Sequence, residues 1–148
     1  MGKKGKLCVL LLALALVFWT RGEELTAVDG PAEIAGDQPL VALTFDDGPR
    51  RSTTGELLDG LAERGVPATF FLIGELVPGN EDLVQRMEEE GHQIGIHTYD
   101  HVQLTGLNAA DFSAQVYRTE NVLAQAVGHG GFDLRPPYGL IDNGVEKR

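Results

Sequence analysis

Cysteine is nearly absent from this chain of 148 residues. The single one is Cys8. No disulfide can form within the chain, and beyond residue 8 both a cysteine nucleophile and a thiolate zinc site are excluded. Basic residues are also scarce, 12 against 22 acidic, for a net charge of −10. Four of the twelve, Lys3, Lys4, Lys6 and Arg21, precede Glu23, and no acidic residue does. The remaining 126 residues carry 8 basic and 22 acidic side chains, a net −14. Such a chain repels phosphate backbones, which excludes nucleic acid as a partner and leaves a surface suited to a neutral or cationic substrate. Internal repeats and low-complexity segments are lacking too. The length argues for one domain at most.

A membrane-spanning run is the next absence. The longest apolar stretch, LCVLLLALALVFW, covers thirteen residues from Leu7 to Trp19. A spanning helix needs roughly 20. Behind the basic MGKKGK, thirteen residues fit the apolar region of a secretory signal peptide. The following TRGEELTA has no small-x-small pair for cleavage, so an uncleaved N-terminal anchor is the alternative. Cys8 lies inside the apolar run, not after it, which argues against a lipid anchor. Residues 1–22 are therefore expected to export the chain to the outside or to the cell surface, with membrane attachment if they are retained. Residues 23–39, with Gly30, Pro31, Gly36 and Pro39, read as a linker, and 40–148 as the domain.

Within that domain strand and helix alternate. PLVALTF reads as a buried strand ending on Asp46 and Asp47. Thr53 and Glu56 have capping-box spacing before a helix with Leu57, Leu58 and Leu61 on one face and Gly65 at its end. PATFFLIG is a second strand. Asn80 caps a helix carrying Leu83, Val84 and Met87, which stops at Gly91. HQIGIH is a third strand. Asn108 and Asp111 open a longer helix with Phe112, Val116, Thr119, Leu123 and Val127 on one face, and FDLRPPYG gives a short fourth strand and a proline turn. This order predicts an α/β fold with a parallel sheet or barrel and helices outside. Right-handed crossovers bring every strand C-terminus to one edge, where such folds carry their sites.

Three polar clusters fall on that edge. Asp46 and Asp47 are adjacent carboxylates, which repel unless a hydrogen-bonding turn or a cation compensates. His97 and His101 in HTYDH stand at i, i+4, a spacing that places both on one face of a helical turn for a common divalent ion. With Asp47 they make a His2Asp set, a normal catalytic zinc shell with positions left for water. Asp100, between them, reads as solvated. In RPPYG two prolines fix the backbone and remove two N–H groups, so Tyr138 offers the next backbone donor, suited to an oxyanion. Arg135 can pair with a carboxylate and orient it.

TFDDGP, GHQIGIHTYDH and RPPYG, in this order and spacing, closely resemble the polysaccharide deacetylase family, the NodB-homology enzymes of carbohydrate esterase family four. The resemblance runs from about Leu40 to Gly139. It implies a distorted (β/α) barrel and a metal-dependent hydrolase that removes N-acetyl groups from N-acetylglucosamine polysaccharides such as peptidoglycan or a chitin-like glycan. It further implies Asp46 as catalytic base, Asp47, His97 and His101 as metal ligands, Arg135 as the residue holding Asp46, and the Tyr138 N–H as part of the oxyanion hole. The ion implied is Zn2+, with Co2+, Ni2+ or Mn2+ accepted by some members.

Two motifs that the resemblance leads one to look for are missing. The family's general acid is a histidine in a later Leu-x-His segment, and an Asp- and Trp-containing segment supports the arginine. No histidine follows His129, and the only tryptophan is Trp19. The expectation is a member whose barrel is incomplete at the C-terminus. His129 reads as a helix C-terminal capping residue and His92 as structural. Ile96, before the first metal histidine, is expected to alter the polarity of the groove. The alternative to a deacetylase is a non-catalytic remnant that binds metal or glycan without turnover.

Overall fold

A computed structural model describes residues 41–146. The leader at 1–22, the whole of the linker at 23–39, Leu40 and residues 147–148 lie outside the described residues. Among those described, no helix is long and apolar enough to cross a membrane.

Four strands form one parallel sheet in sequential order: β1 (Thr44–Gly48), β2 (Thr69–Leu72), β3 (Gln93–Ile96) and β4 (Asp133–Leu134). The helices α1 (Thr54–Ala62), α2 (Glu81–Glu89) and α3 (Ala109–Val127) connect them, and a short α4 (Asn143–Glu146) follows the last strand. Sequential order of β/α units is the arrangement a (β/α) barrel is built from. As expected, all four strands point the same way, so Asp46–Asp47, His97 and Arg135 meet at one edge.

The core lies where the helices cover the sheet. Leu58 and Leu61 from α1, Val84 and Met87 from α2, and Leu123 and Ala126 from α3 pack with Phe70, Leu72, Ile94 and Ile96 of the strands. Each helix presents apolar residues three or four apart, so one stripe meets the sheet and the rest faces water. Ile96 is 1% exposed and belongs to this core. It therefore lies away from the groove whose polarity it was expected to set, because alternation along β3 turns it to the helix side.

Local details differ from the sequence reading. β1 begins at Thr44, not Pro39; it is an edge strand of the described sheet and largely exposed, and Val41 and Leu43 just before it are 84% and 40% exposed. An apolar run alone does not distinguish a central strand from an edge one. Thr53 sits at the α1 N-cap without a side-chain bond, and the capping box does not form. Instead the Thr54 hydroxyl accepts from the Arg50 N–H at 2.8 Å, tying the helix start to the end of β1. Asn108 does cap α3, accepting from the Asp111 N–H at 2.9 Å. That helix ends on Gly128 at φ 85°, a left-handed C-terminal stop.

Candidate active site

The two aspartates part company because β1 carries a bulge. Asp46 is in register with Phe71 and Gly48 with Leu72, leaving Asp47 as an extra residue at φ 67°. A bulge re-aims the side chain it carries. Asp46 stays in the strand and meets Arg135, whose Nη1 donates to its Oδ1 at 2.7 Å. Asp47 turns to the histidines, with Oδ1 3.5 Å from His97 Nε2 and 3.1 Å from His101 Nε2.

His97 is 3% exposed and fixed at two points. Its backbone N–H donates to the Leu72 carbonyl at 2.8 Å, continuing the β3 ladder past the strand end. Its Nδ1 lies 2.7 Å from the Arg135 carbonyl. A carbonyl only accepts, so Nδ1 carries the proton and Nε2 offers its lone pair toward Asp47 and His101. His101 arrives by a route the sequence reading did not foresee. Residues 97–101 form no helical turn. Thr98 and His101 adopt φ 64° and 60°, and this doubly left-handed loop brings the two imidazoles to 5.0 Å between centroids. The i, i+4 spacing identified the pair, while the backbone delivering it is strained loop.

Arg135 does double duty. Its N–H pairs with the Ile96 carbonyl at 2.9 Å, extending the β3–β4 ladder, and its carbonyl anchors His97. Its guanidinium also donates to the Thr44 hydroxyl at 2.9 Å and lies 3.9 Å from the centre of the Phe71 ring. Thr44 and Phe71 were not singled out from sequence. The spacing of Thr44 and Asp46 at i, i+2 on one strand face was the available signal for the first. Gly95 makes room for the second, since a Cβ there would stand 2.5 Å from the Phe71 ring.

In the proline turn Tyr138 has φ 63°. Gly139 and Leu140 donate back to Pro136 and Pro137, which leaves the Tyr138 N–H without an acceptor among the described residues. The Tyr138 ring is 65% exposed and meets His101 edge-on at 4.9 Å. Asp46, Asp47, His97, His101, Arg135 and Tyr138 thus all line one open cleft of about 530 Å³, which Ile141 also borders. That volume lies in the range of small-ligand sites.

The remaining polar candidates lie elsewhere. Asp100 is exposed, as expected. His92 is buried on the opposite end of the sheet, its Nδ1 accepting from the Ala68 N–H at 3.1 Å, a structural role as expected. His129 does not cap α3. Its Nε2 lies 3.1 Å from Glu88 of α2, because Gly128 has already turned the chain away from the helix axis.

The donor set fits a divalent ion. Three ligand atoms from Asp47, His97 and His101 lie within 4.8 Å of one another. Ligands around a tetrahedral zinc stand roughly 3.3–3.5 Å apart, given bonds of about 2.0–2.1 Å. Of the separations from Asp47 Oδ1, the 3.5 Å one falls in that range and the 3.1 Å one just below it. The proton on His97 Nδ1, held by a carbonyl, leaves the lone pair of Nε2 for an ion.

Residues 33–148 match the family described as Polysaccharide deacetylase. The chain belongs to the polysaccharide deacetylase family. A peptidoglycan-N-acetylglucosamine deacetylase of Bacillus cereus is 45% identical over 101 residues, which is 68% of this chain and 37% of that protein. The peptidoglycan deacetylase PdaC from Bacillus subtilis superposes with a TM-score of 0.71 at 35% identity, over 76% of this chain and 55% of that one. A family 4 acetyl xylan esterase from Clostridium thermocellum, solved in complex with a cobalt ion, superposes with a TM-score of 0.69 at 29% identity, over 72% of this chain and 52% of that one. This polysaccharide deacetylase family member therefore spans about half the length of the solved structures it matches, and less of the first curated relatives. Among these proteins it shares the α/β fold and parallel sheet that the sequence implied.

Proposed function

We propose that this chain is a metal-dependent deacetylase that hydrolyses N-acetyl groups of an N-acetylglucosamine-containing glycan, peptidoglycan or a chitin-like polymer. The observation that carries the reading is the separation of two adjacent carboxylates, Asp47 toward two histidines and Asp46 toward an arginine, in one cleft. Asp47, His97 and His101 would hold the ion, most simply Zn2+, with Co2+, Ni2+ or Mn2+ as alternatives of the same charge. Bound there, the ion would supply Lewis-acid polarisation of the acyl carbonyl and lower the pKa of a water.

The remaining roles belong to the protein. Arg135 holds Asp46 by Oδ1, leaving the other carboxylate oxygen to take a proton from the attacking water. The unpaired Tyr138 N–H donates to the oxyanion as the carbonyl carbon becomes tetrahedral. Collapse then breaks the C–N bond as the proton taken up by Asp46 passes to the departing nitrogen, releasing acetate and a free amine. The exposed Tyr138 ring offers a platform for a sugar face beside His101. The basic start and thirteen-residue apolar run support export, where such glycans occur.

A second reading, a metal- or glycan-binding domain without turnover, is favoured by one observation. The chain has four histidines, and the two outside the metal set face away from the cleft, His92 in the core and His129 on Glu88. No imidazole of this chain is placed to protonate the leaving amine. Acetate release from N-acetylglucosamine oligomers by the zinc-loaded chain separates the two. The first reading expects release, reduced about 10²–10⁴-fold in Asp46→Asn. Zinc binding with no acetate above the Asp46→Asn background sinks it in favour of the second.

A further inference from the structure

The loop that carries the two histidines is left-handed at Thr98 and at His101. A β-branched residue at positive φ is a genuine outlier, and such backbone persists only where its surroundings over-determine it. The surroundings are one helix and one short turn. Gln115, on the second turn of α3, accepts with its side-chain oxygen from the Tyr99 N–H at 2.8 Å and from the Asp100 N–H at 3.3 Å. Both donors are backbone N–H groups, so the oxygen of the amide must face them. From the other side, Gly74 and Glu75 donate their N–H groups to the Thr98 and Tyr99 carbonyls at 3.0 and 2.8 Å. Arg118, one turn along α3, lies 3.6 Å from the centre of the Tyr99 ring. Gly74 is required for this approach, since a Cβ there would stand 2.7 Å from both Tyr99 and Thr119.

Among the described residues, Gln115 is thus the one side chain shown to hydrogen-bond to the backbone between the histidines. We propose that Gln115 is a positioning residue for the metal site: by holding the N–H groups of Tyr99 and Asp100, it fixes the left-handed path that brings His101 to His97 and Asp47. It touches neither ligand nor substrate. Its action runs through the backbone, so its loss loosens His101, while His97 stays anchored by Leu72 and Arg135. The inference rests on the metal reading of the cleft, and it extends that reading to a residue some fourteen positions from the nearest ligand in sequence.

The test is zinc affinity of the full chain, measured by competition with a chromophoric chelator. Gln115→Met keeps helix propensity and length but removes the acceptor, and Gln115→Glu restores an acceptor oxygen to the same place. Loss of an outer-shell partner typically weakens metal affinity 10–100-fold, so Gln115→Met is expected to bind zinc at least about tenfold more weakly. Gln115→Glu should recover most of that loss. Tyr117→Ala, on the exposed face of the same helix, should bind as the wild type does. If Gln115→Met is too unstable to titrate, Gln115→Glu against Gln115→Leu at reduced temperature makes the same comparison. Equal affinity in the wild type and the acceptor-less variant overturns the inference while leaving the metal site standing. A wild-type chain that binds no zinc overturns the metal reading and this inference with it.

Discussion

At the scale of single residues, the site turns on two aspartates one peptide apart with different surroundings. Asp47 needs the bulge to leave the strand plane, and Asp46 needs Arg135 to stay in it. Arg135 serves through two separable groups. Its carbonyl fixes the His97 tautomer, and its guanidinium holds Asp46. Arg135→Ala removes only the second. Acetate release should fall about 10²-fold, the usual cost of a misplaced catalytic group, while zinc affinity stays within threefold of the wild type. Steady-state kinetics beside a chelator titration checks both halves. A parallel collapse of zinc binding would show that the side chain, not the backbone, supports His97. Asp46, Asp47, His97, His101, Arg135 and Tyr138 were legible in the sequence because they fall in three clusters, TFDDGP, HTYDH and RPPYG, whose order and spacing are distinctive. Thr44, Phe71 and Gln115 were not legible, since a hydroxyl, a core ring and a helix amide become parts of the site only through contacts made across the fold.

At the scale of elements, β3 and β2 are matched through a glycine. Phe71 lies over Gly95, and the Arg135 guanidinium lies on Phe71. Gly95→Ala would place a Cβ 2.5 Å from the ring and 3.0 Å from the Asp133 carbonyl. Overpacking of this kind costs about 1–3 kcal/mol, which a urea midpoint would register. An unchanged midpoint would mean that the ring shifts freely and is no firm platform for Arg135. Element type and order were readable from apolar spacing, because each helix has a clear stripe and each strand a short apolar run. Exact backbone was not. The sequence reading placed the histidine pair on a helical turn, and the structure delivers it on two left-handed residues. It placed a capping box at Thr53, where Thr54 forms the bond instead. Both misses concern loops at strand ends, where contacts to neighbouring elements override local preference.

At the scale of the molecule, acidity and ion pairing set the response to pH and metal. His129 bridges the end of α3 to Glu88 of α2. Hydrogen bonding to the Gly130 carbonyl, and then to the Glu88 carboxylate, raises its pKa above the ordinary 6.5. A raised folded-state pKa means that the contribution is fully present below about pH 6.5 and is lost as pH rises through the higher folded value. His129→Ala should therefore lower the melting temperature at pH 5.5 by more than at pH 8.5. Equal losses at both would mean that the pair does not sense protonation. Zinc should act on the whole fold, because His101 and Asp47 come from different β/α units. At a free concentration of 100 times Kd it would add about 2.7 kcal/mol to stability. Thermal unfolding with and without zinc, repeated with His101→Ala, measures that gain, which should vanish in the variant.

The measurement that bears most directly on the account is zinc bound per chain in Asp46→Asn and in Asp47→Asn, side by side. The two changes are chemically identical and one residue apart. Asp46→Asn and the wild type are both expected to bind close to one zinc per chain, and Asp47→Asn to lose it at least about a hundredfold in affinity, since one of the three proposed ligands would be gone. Equal zinc binding in the two variants, whether retained or lost, would contradict the division of labour between adjacent carboxylates on which the proposed chemistry depends.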